Sequence, residues 1–122
     1  MDSCGRSYAL PAHSLPSARG YGEPLTGRLN LPPKASVLTV LMAAPNLLWL
    51  MASDAGYGFV TEFGNLYTKN QKGKAMISLP KGALPLEPLF VHDLEKDLLA
   101  AITNEGRMLV FPLQNLPVLA KG

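Results

Sequence analysis

The sequence predicts an all-β fold, a partial propeller-like array of about 2.5 four-stranded blades. Three observations carry this. Short apolar runs alternate with turn signals along the chain. Eleven glycines and eleven prolines among 122 residues argue against long helices. A pattern of residues recurs at a period near 50.

The runs follow in order. Val37–Met42 is apolar and partly β-branched, and Pro45-Asn46 turns the chain after it. Leu47–Ala52 is continuously apolar, as a strand buried on both faces is. The cluster Ser53-Asp54-Ala55-Gly56 then reverses the chain. Tyr57–Phe63 alternates, placing Phe59, Thr61 and Phe63 on one face and Val60 and Glu62 on the other. Gly64-Asn65 ends it. Ala75–Leu79 precedes Pro80-Lys81-Gly82, and Leu89–Val91 follows. Leu98–Thr103 and Arg107–Phe111 flank Asn104-Glu105-Gly106 as a hairpin. No window holds a capped helical period.

The repeat is anchored by turn glycines Gly5, Gly56 and Gly106, spaced 51 and 50 apart. Ten residues after each stands a leucine: Leu15, Leu66 and Leu116. A basic residue followed by glycine comes next, as Arg19-Gly20, Lys72-Gly73 and Lys121-Gly122. The units are residues 1–35 (partial), 36–86, and 87–122 (partial). A propeller normally closes with four or more blades, so the chain is expected to be part of a longer array.

Composition narrows function. Charged residues are 16% and hydrophobic residues 48%, which excludes a disordered tail. One cysteine, Cys4, excludes an internal disulfide or a cysteine-built zinc site and fits a reducing compartment. No basic-then-apolar leader opens the chain, and Pro45-Asn46 splits its longest apolar stretch, so neither secretion nor a membrane span is expected. His13 and His92 lie at different repeat phases. The serines lack a nucleophile elbow. Asp93-x-Glu95-x-Asp97 lacks the remaining ligands of a calcium loop and reads as a polar turn. No acid, base or nucleophile constellation forms, so catalysis is not expected here.

The net charge of +2 averages two unlike stretches. Phe63 through Leu86 carries Lys69, Lys72, Lys74 and Lys81 with no acid, whereas Glu87 through Glu105 carries five acids and one lysine. Lys69-Asn70-Gln71-Lys72-Gly73-Lys74 offers cations and amide donors beside a glycine, which suits phosphate contacts that carry no sequence information. Turn lysines often serve solubility alone, but the repeat places Arg19, Lys72 and Lys121 alike. Arg6 and Arg107 also share a phase, with Tyr57 between them. Arg28 joins these as a further candidate.

Tyr8-Ala9-Leu10-Pro11, the stretch Leu15 through Gly27 (Leu-Pro-Ser-Ala-Arg-Gly-Tyr-Gly-Glu-Pro-Leu-Thr-Gly), Leu50 through Phe59 and Gly106 through Pro112 resemble, in order, the C-terminal domain of the A subunit of bacterial DNA topoisomerase IV. Leu116-Pro117 and Lys121-Gly122 continue the match, which covers essentially the whole chain. The resemblance implies a β-pinwheel, a disc whose blades exchange strands and whose basic rim binds and bends duplex DNA. It implies DNA, the rest of the A subunit, and the ATPase (B) subunit for partners, in a bacterial cytoplasm. It implies no cofactor in this segment, since Mg²⁺ and ATP act through other domains of an ATP-dependent type II topoisomerase. The related gyrase subunit carries a Gln-Arg-Arg-Gly-Gly-Lys-Gly box. Ser17-Ala18-Arg19-Gly20-Tyr21-Gly22 stands at the comparable place, with one basic residue instead of three. Gyrase-like wrapping is therefore not expected. A propeller that binds another protein is the competing reading, and an enzyme the weakest.

Overall fold

A computed structural model describes residues 1–122. The organising element is a tight β-hairpin that occurs three times. Its turn closes through Asp2 and Arg6, Ser53 and Tyr57, and Thr103 and Arg107. In each, the first residue's N–H donates to the carbonyl of the fifth, at 2.9, 2.9 and 2.8 Å. The fourth residue is Gly5, Gly56 or Gly106, with φ of 76°, 84° and 79°. Only glycine takes that left-handed conformation without strain, which explains its recurrence.

The strands are β1 (Arg6–Ser7), β2 (Leu48–Ala52), β3 (Gly58–Glu62), β4 (Lys74–Ala75), β5 (Leu89–Phe90), β6 (Leu98–Ile102) and β7 (Met108–Pro112). β2 and β3 pair antiparallel with Leu50 opposite Val60, and β6 and β7 pair with Ala100 opposite Val110. The second hairpin is flanked on both edges. β5 pairs with β2 through Trp49 and Leu50. Pro117–Leu119 meets the edge of β3, where the Val60 N–H donates to Pro117 at 2.9 Å and the Leu119 N–H to Val60 at 2.8 Å. The first hairpin is flanked likewise, by a bridge from Val37 to Asp2 and by β4 pairing with β1. In both cases one flank comes from chain that has already run past the next hairpin. This exchange makes the array a pinwheel rather than a stack of closed blades, and no barrel closes.

Because blades stack, β2 and β3 are buried on both faces. Met51 and Phe59 pack with Leu66, Met76 and Ile77 toward the first hairpin. Leu50 and Val60 pack with Val91 and Leu113 toward the third. The alternation in Tyr57–Phe63 therefore separates two apolar interfaces, not an inside from an outside. Burying such side chains contributes about 1.5–3 kcal/mol each. β6 and β7 pair only with each other, and Leu98, Ile102, Met108, Leu109 and Val110 are exposed.

Two expectations need correction. Val37–Met42 forms no strand beyond the Val37 bridge. The matching turns Pro32–Ala35 and Pro80–Ala83 align Leu41 and Met42 with Leu89 and Phe90 of β5. β5 pairs with Trp49 and Leu50, whereas Leu41 and Met42 pair with no strand. Ala75–Leu79 shortens to β4, and the Met76 and Ile77 amides instead share the Gly5 carbonyl. A recurring element is marked in the sequence only by the leucine ten residues after each turn glycine. 3₁₀ turns begin at Ala12, Phe63 and Leu113, each seven residues after a turn glycine. They carry Leu66 and Leu116 into the apolar clusters, while Leu15 stays exposed.

Candidate nucleic-acid interface

The lysine-rich loop is the crossover that leaves the second hairpin and returns to the first. Its shape is set by short polar contacts. Thr68 Oγ1 accepts the Asn70 N–H at 3.0 Å, Asn70 Oδ1 accepts the Lys72 N–H at 3.0 Å, and the Gly73 N–H donates to the Asn70 carbonyl at 2.9 Å. These Asx- and Ser/Thr-type turns fix the backbone without help from the lysine side chains. Lys69 and Lys72 are exposed, and no ion pair or side-chain hydrogen bond holds their ammonium groups.

At Gly73 the crossover meets the first hairpin. Gly73 has φ 76°, and a Cβ there would lie 2.7 Å from the Tyr8 ring and 2.9 Å from the Ser7 carbonyl oxygen. Arg6 Nη1 donates to the carbonyls of Lys72 and Gly73 at 2.9 and 3.4 Å. Asp2, fully buried, holds both neighbours of this contact. Its Oδ1 accepts the Cys4 and Arg6 amides at 2.9 Å each, and its Oδ2 accepts the Tyr8 hydroxyl at 2.8 Å.

The same seat recurs one hairpin later. Phe59 stands three residues after Gly56, as Tyr8 stands three after Gly5, and a Cβ on Gly122 would collide with the Phe59 ring. Lys72-Gly73 and Lys121-Gly122 are thus equivalent in three dimensions, each glycine seated on the aromatic ring of the preceding hairpin. Arg19-Gly20 shows no such seat. The left-handed glycine of its loop is Gly22.

The structure thus brings Arg6, Lys69, Lys72 and Lys74 into one crossover, with Lys121 at the matched place of the next. Not all of these cations are free. Lys74 Nζ donates to the Asn65 carbonyl at 2.7 Å. Arg28 is bound to Glu23 through Nε at 3.0 Å and Nη2 at 2.8 Å, and to the Ser14 carbonyl through Nη1 at 2.7 Å. That guanidinium staples the first loop, and Glu23 neutralises it. Arg19 is exposed in a turn capped by Ser17. Arg107 is exposed and 3.9 Å from Glu105, a pairing of negligible strength in solvent.

No family model matches the chain. The A subunit of DNA topoisomerase 4 from Pseudomonas aeruginosa is 57% identical over 122 residues, which is all of this chain and 16% of that protein. The protein of the same name from Escherichia coli K12 is 54% identical over the same extent. The solved structure of the E. coli ParC C-terminal domain matches with a TM-score of 0.95 and 55% identity, covering 99% of this chain and 49% of that one. The chain is a β-pinwheel segment of the C-terminal-domain type found in the topoisomerase IV A subunit. It spans 16% of the length of these A-subunit relatives and about half of the solved domain.

Within this segment of the topoisomerase IV type, the acidic turn is occupied by its own backbone amides. Asp97 Oδ2 accepts the His92 and Asp93 amides at 3.0 and 3.1 Å, and Asp93 Oδ1 accepts those of Glu95 and Lys96. His92 lies edge-on to Phe90 at 4.7 Å, and His13 is exposed in a 3₁₀ turn. Burial and the hydrogen bond to Asp2 push the Tyr8 phenol up to about 12. A folded-state value above the usual 10.0 means the protonated phenol stabilises the native chain. That contribution is complete below pH ~10 and is lost as the pH rises through about 12. Subtracting the ultraviolet pH titration of Tyr8→Phe from that of the wild type isolates this step. A midpoint near the free-tyrosine value would contradict the buried Asp2–Tyr8 bond.

Proposed function

We propose that this chain binds duplex DNA, without reading its sequence, along a rim built from the Lys69–Lys74 and Lys121 crossovers. The observation that carries the reading is the pair of matched Lys-Gly elements, each fixed by a glycine seated on an aromatic ring. Lys69 and Lys72 extend from such an element with nothing inside the protein to neutralise them. Fixed backbone with free ammonium groups is suited to phosphate, where counterion release supplies affinity. Repetition of the element from one blade to the next would suit a bent duplex. Arg6, Arg19 and Arg107 supplement the field around this rim. In the assembled enzyme the segment would work with the remainder of the A subunit and with the ATPase (B) subunit, in the bacterial cytoplasm. There it would tune which DNA crossings and supercoils are decatenated or relaxed, needing no cofactor of its own.

Fluorescence anisotropy on unrelated duplexes at several salt concentrations tests this. Lys69→Ala with Lys72→Ala should weaken binding equally on every sequence and reduce the salt slope by about 0.9 per lost phosphate contact, roughly 2 in all. Wild-type affinity for the double variant at low salt would refute the rim.

A further inference from the structure

We infer that Arg6 is a positioning residue for the DNA rim and not one of its phosphate ligands; the inference rests on the DNA-binding reading above. Its sequence position suggests a rim cation, yet Nη1 is committed to the Lys72 and Gly73 carbonyls on a different repeat. Those two carbonyls directly follow the Cα that bears the free Lys72 side chain. Capped by a guanidinium, their lone pairs do not face an approaching phosphate, and the loop is held in one shape before DNA arrives. Preorganising a loop raises affinity by reducing the ordering cost of binding, without adding a contact.

The clasp has a second arm and a common anchor. The Tyr8 ring closes on Gly73 from the other side. Asp2 fixes both arms, through the Arg6 amide and the Tyr8 hydroxyl. β1 then pairs with β4 immediately after Gly73, so the clasp sits where the crossover becomes a strand. The repeat supplies an internal comparison. At the Lys121 crossover the residues in the places of Asp2, Arg6 and Tyr8 are Ser53, Tyr57 and Phe59. There the aromatic seat remains, while Ser53 Oγ is buried without a partner and Tyr57 is largely exposed. The clasp is therefore an addition to the seat, present only where the loop carries Lys69, Lys72 and Lys74.

The salt dependence separates positioning from contact. A lost phosphate ligand lowers the slope by about 0.9, because one fewer counterion is released. A lost positioning residue lowers affinity at every salt concentration and leaves the slope unchanged. Arg6→Met, which cannot donate, should bind a random 30-base-pair duplex on the order of fivefold more weakly with the wild-type slope. Arg6→Gln is neutral but can still donate to a carbonyl, and it should recover most of that loss. Without DNA, Arg6→Met should speed amide exchange at Lys72–Ala75 and leave β6 and β7 unaffected, which also reports that the variant folds.

A slope reduced by about one in Arg6→Met would overturn the role and make Arg6 a phosphate ligand, and Arg6→Gln binding as weakly as Arg6→Met would overturn positioning through its hydrogen bonds to the two carbonyls. Unchanged exchange at Lys72–Ala75 would remove the clasp itself, whatever the binding data show. If the wild-type chain binds no duplex, the DNA reading fails and the role fails with it, whereas faster exchange in Arg6→Met would still establish the clasp as structural.

Discussion

Gly73→Ala should destabilise the chain by about 3 kcal/mol in chemical denaturation. Two costs combine. An L-residue at φ 76° costs roughly 1–2 kcal/mol. The new methyl would also lie 2.9 Å from the Ser7 carbonyl, which is backbone and cannot rotate away, and 2.7 Å from a ring tethered to Asp2. Overpacking of this kind adds about 1–3 kcal/mol. Gly56→Ala is the control, since Gly56 has φ 84° but no atom within 4 Å of the added methyl. It should cost only the backbone term, about 1 kcal/mol. Equal losses in the two variants would show that the Tyr8 seat is not tight. Gly73→Ala should also weaken DNA binding, because the displaced strand carries Lys72 and Lys74.

Asp2→Ala should cost on the order of 3 kcal/mol. The carboxylate accepts from two amides and one phenol while buried, and each donor left unpaired costs about 1–3 kcal/mol. Asp2→Asn retains the Oδ1 acceptor for the two amides and should lose less than half as much. The Tyr8 titration serves as the second readout, because in either variant its midpoint should fall from about 12 toward the ordinary value. A wild-type midpoint in Asp2→Ala would leave burial, the larger cause, responsible for the whole shift.

The hairpins were legible because their signals are local. A glycine at positive φ between two apolar runs specifies β2–β3 and β6–β7, and all three turn glycines adopt that conformation. The flanking strands were not legible, because their partners are remote. Nothing local in Val37–Met42 distinguishes it from Leu89–Phe90, which pairs with Trp49 and Leu50. At the rim, spacing identified which residues are cationic but not which charges are already used. Arg28 and Glu23, five residues apart in a loop, follow no periodic rule, and their pairing appears only when the loop folds. Arg6 and Arg107 share a repeat phase but not their contacts, since Arg6 meets a carbonyl pair on another repeat and Arg107 lies 3.9 Å from Glu105. The register of the basic-Gly element was partly legible. Gly73 and Gly122 share an aromatic seat, whereas Gly20 lies two residues from Gly22, the glycine that takes positive φ.

Strand exchange also decides where damage is felt. Pro117–Leu119 belongs in sequence to the third hairpin but closes the edge of β3, and Gly122 covers Phe59. A protease cut just after Pro112 would leave β6 and β7 paired as before. It would strip the second hairpin of an edge and open its aromatic ring to water, some 50 residues upstream of the nick. Injury in such an array moves back by one repeat, and the place that frays is not the place that was cut.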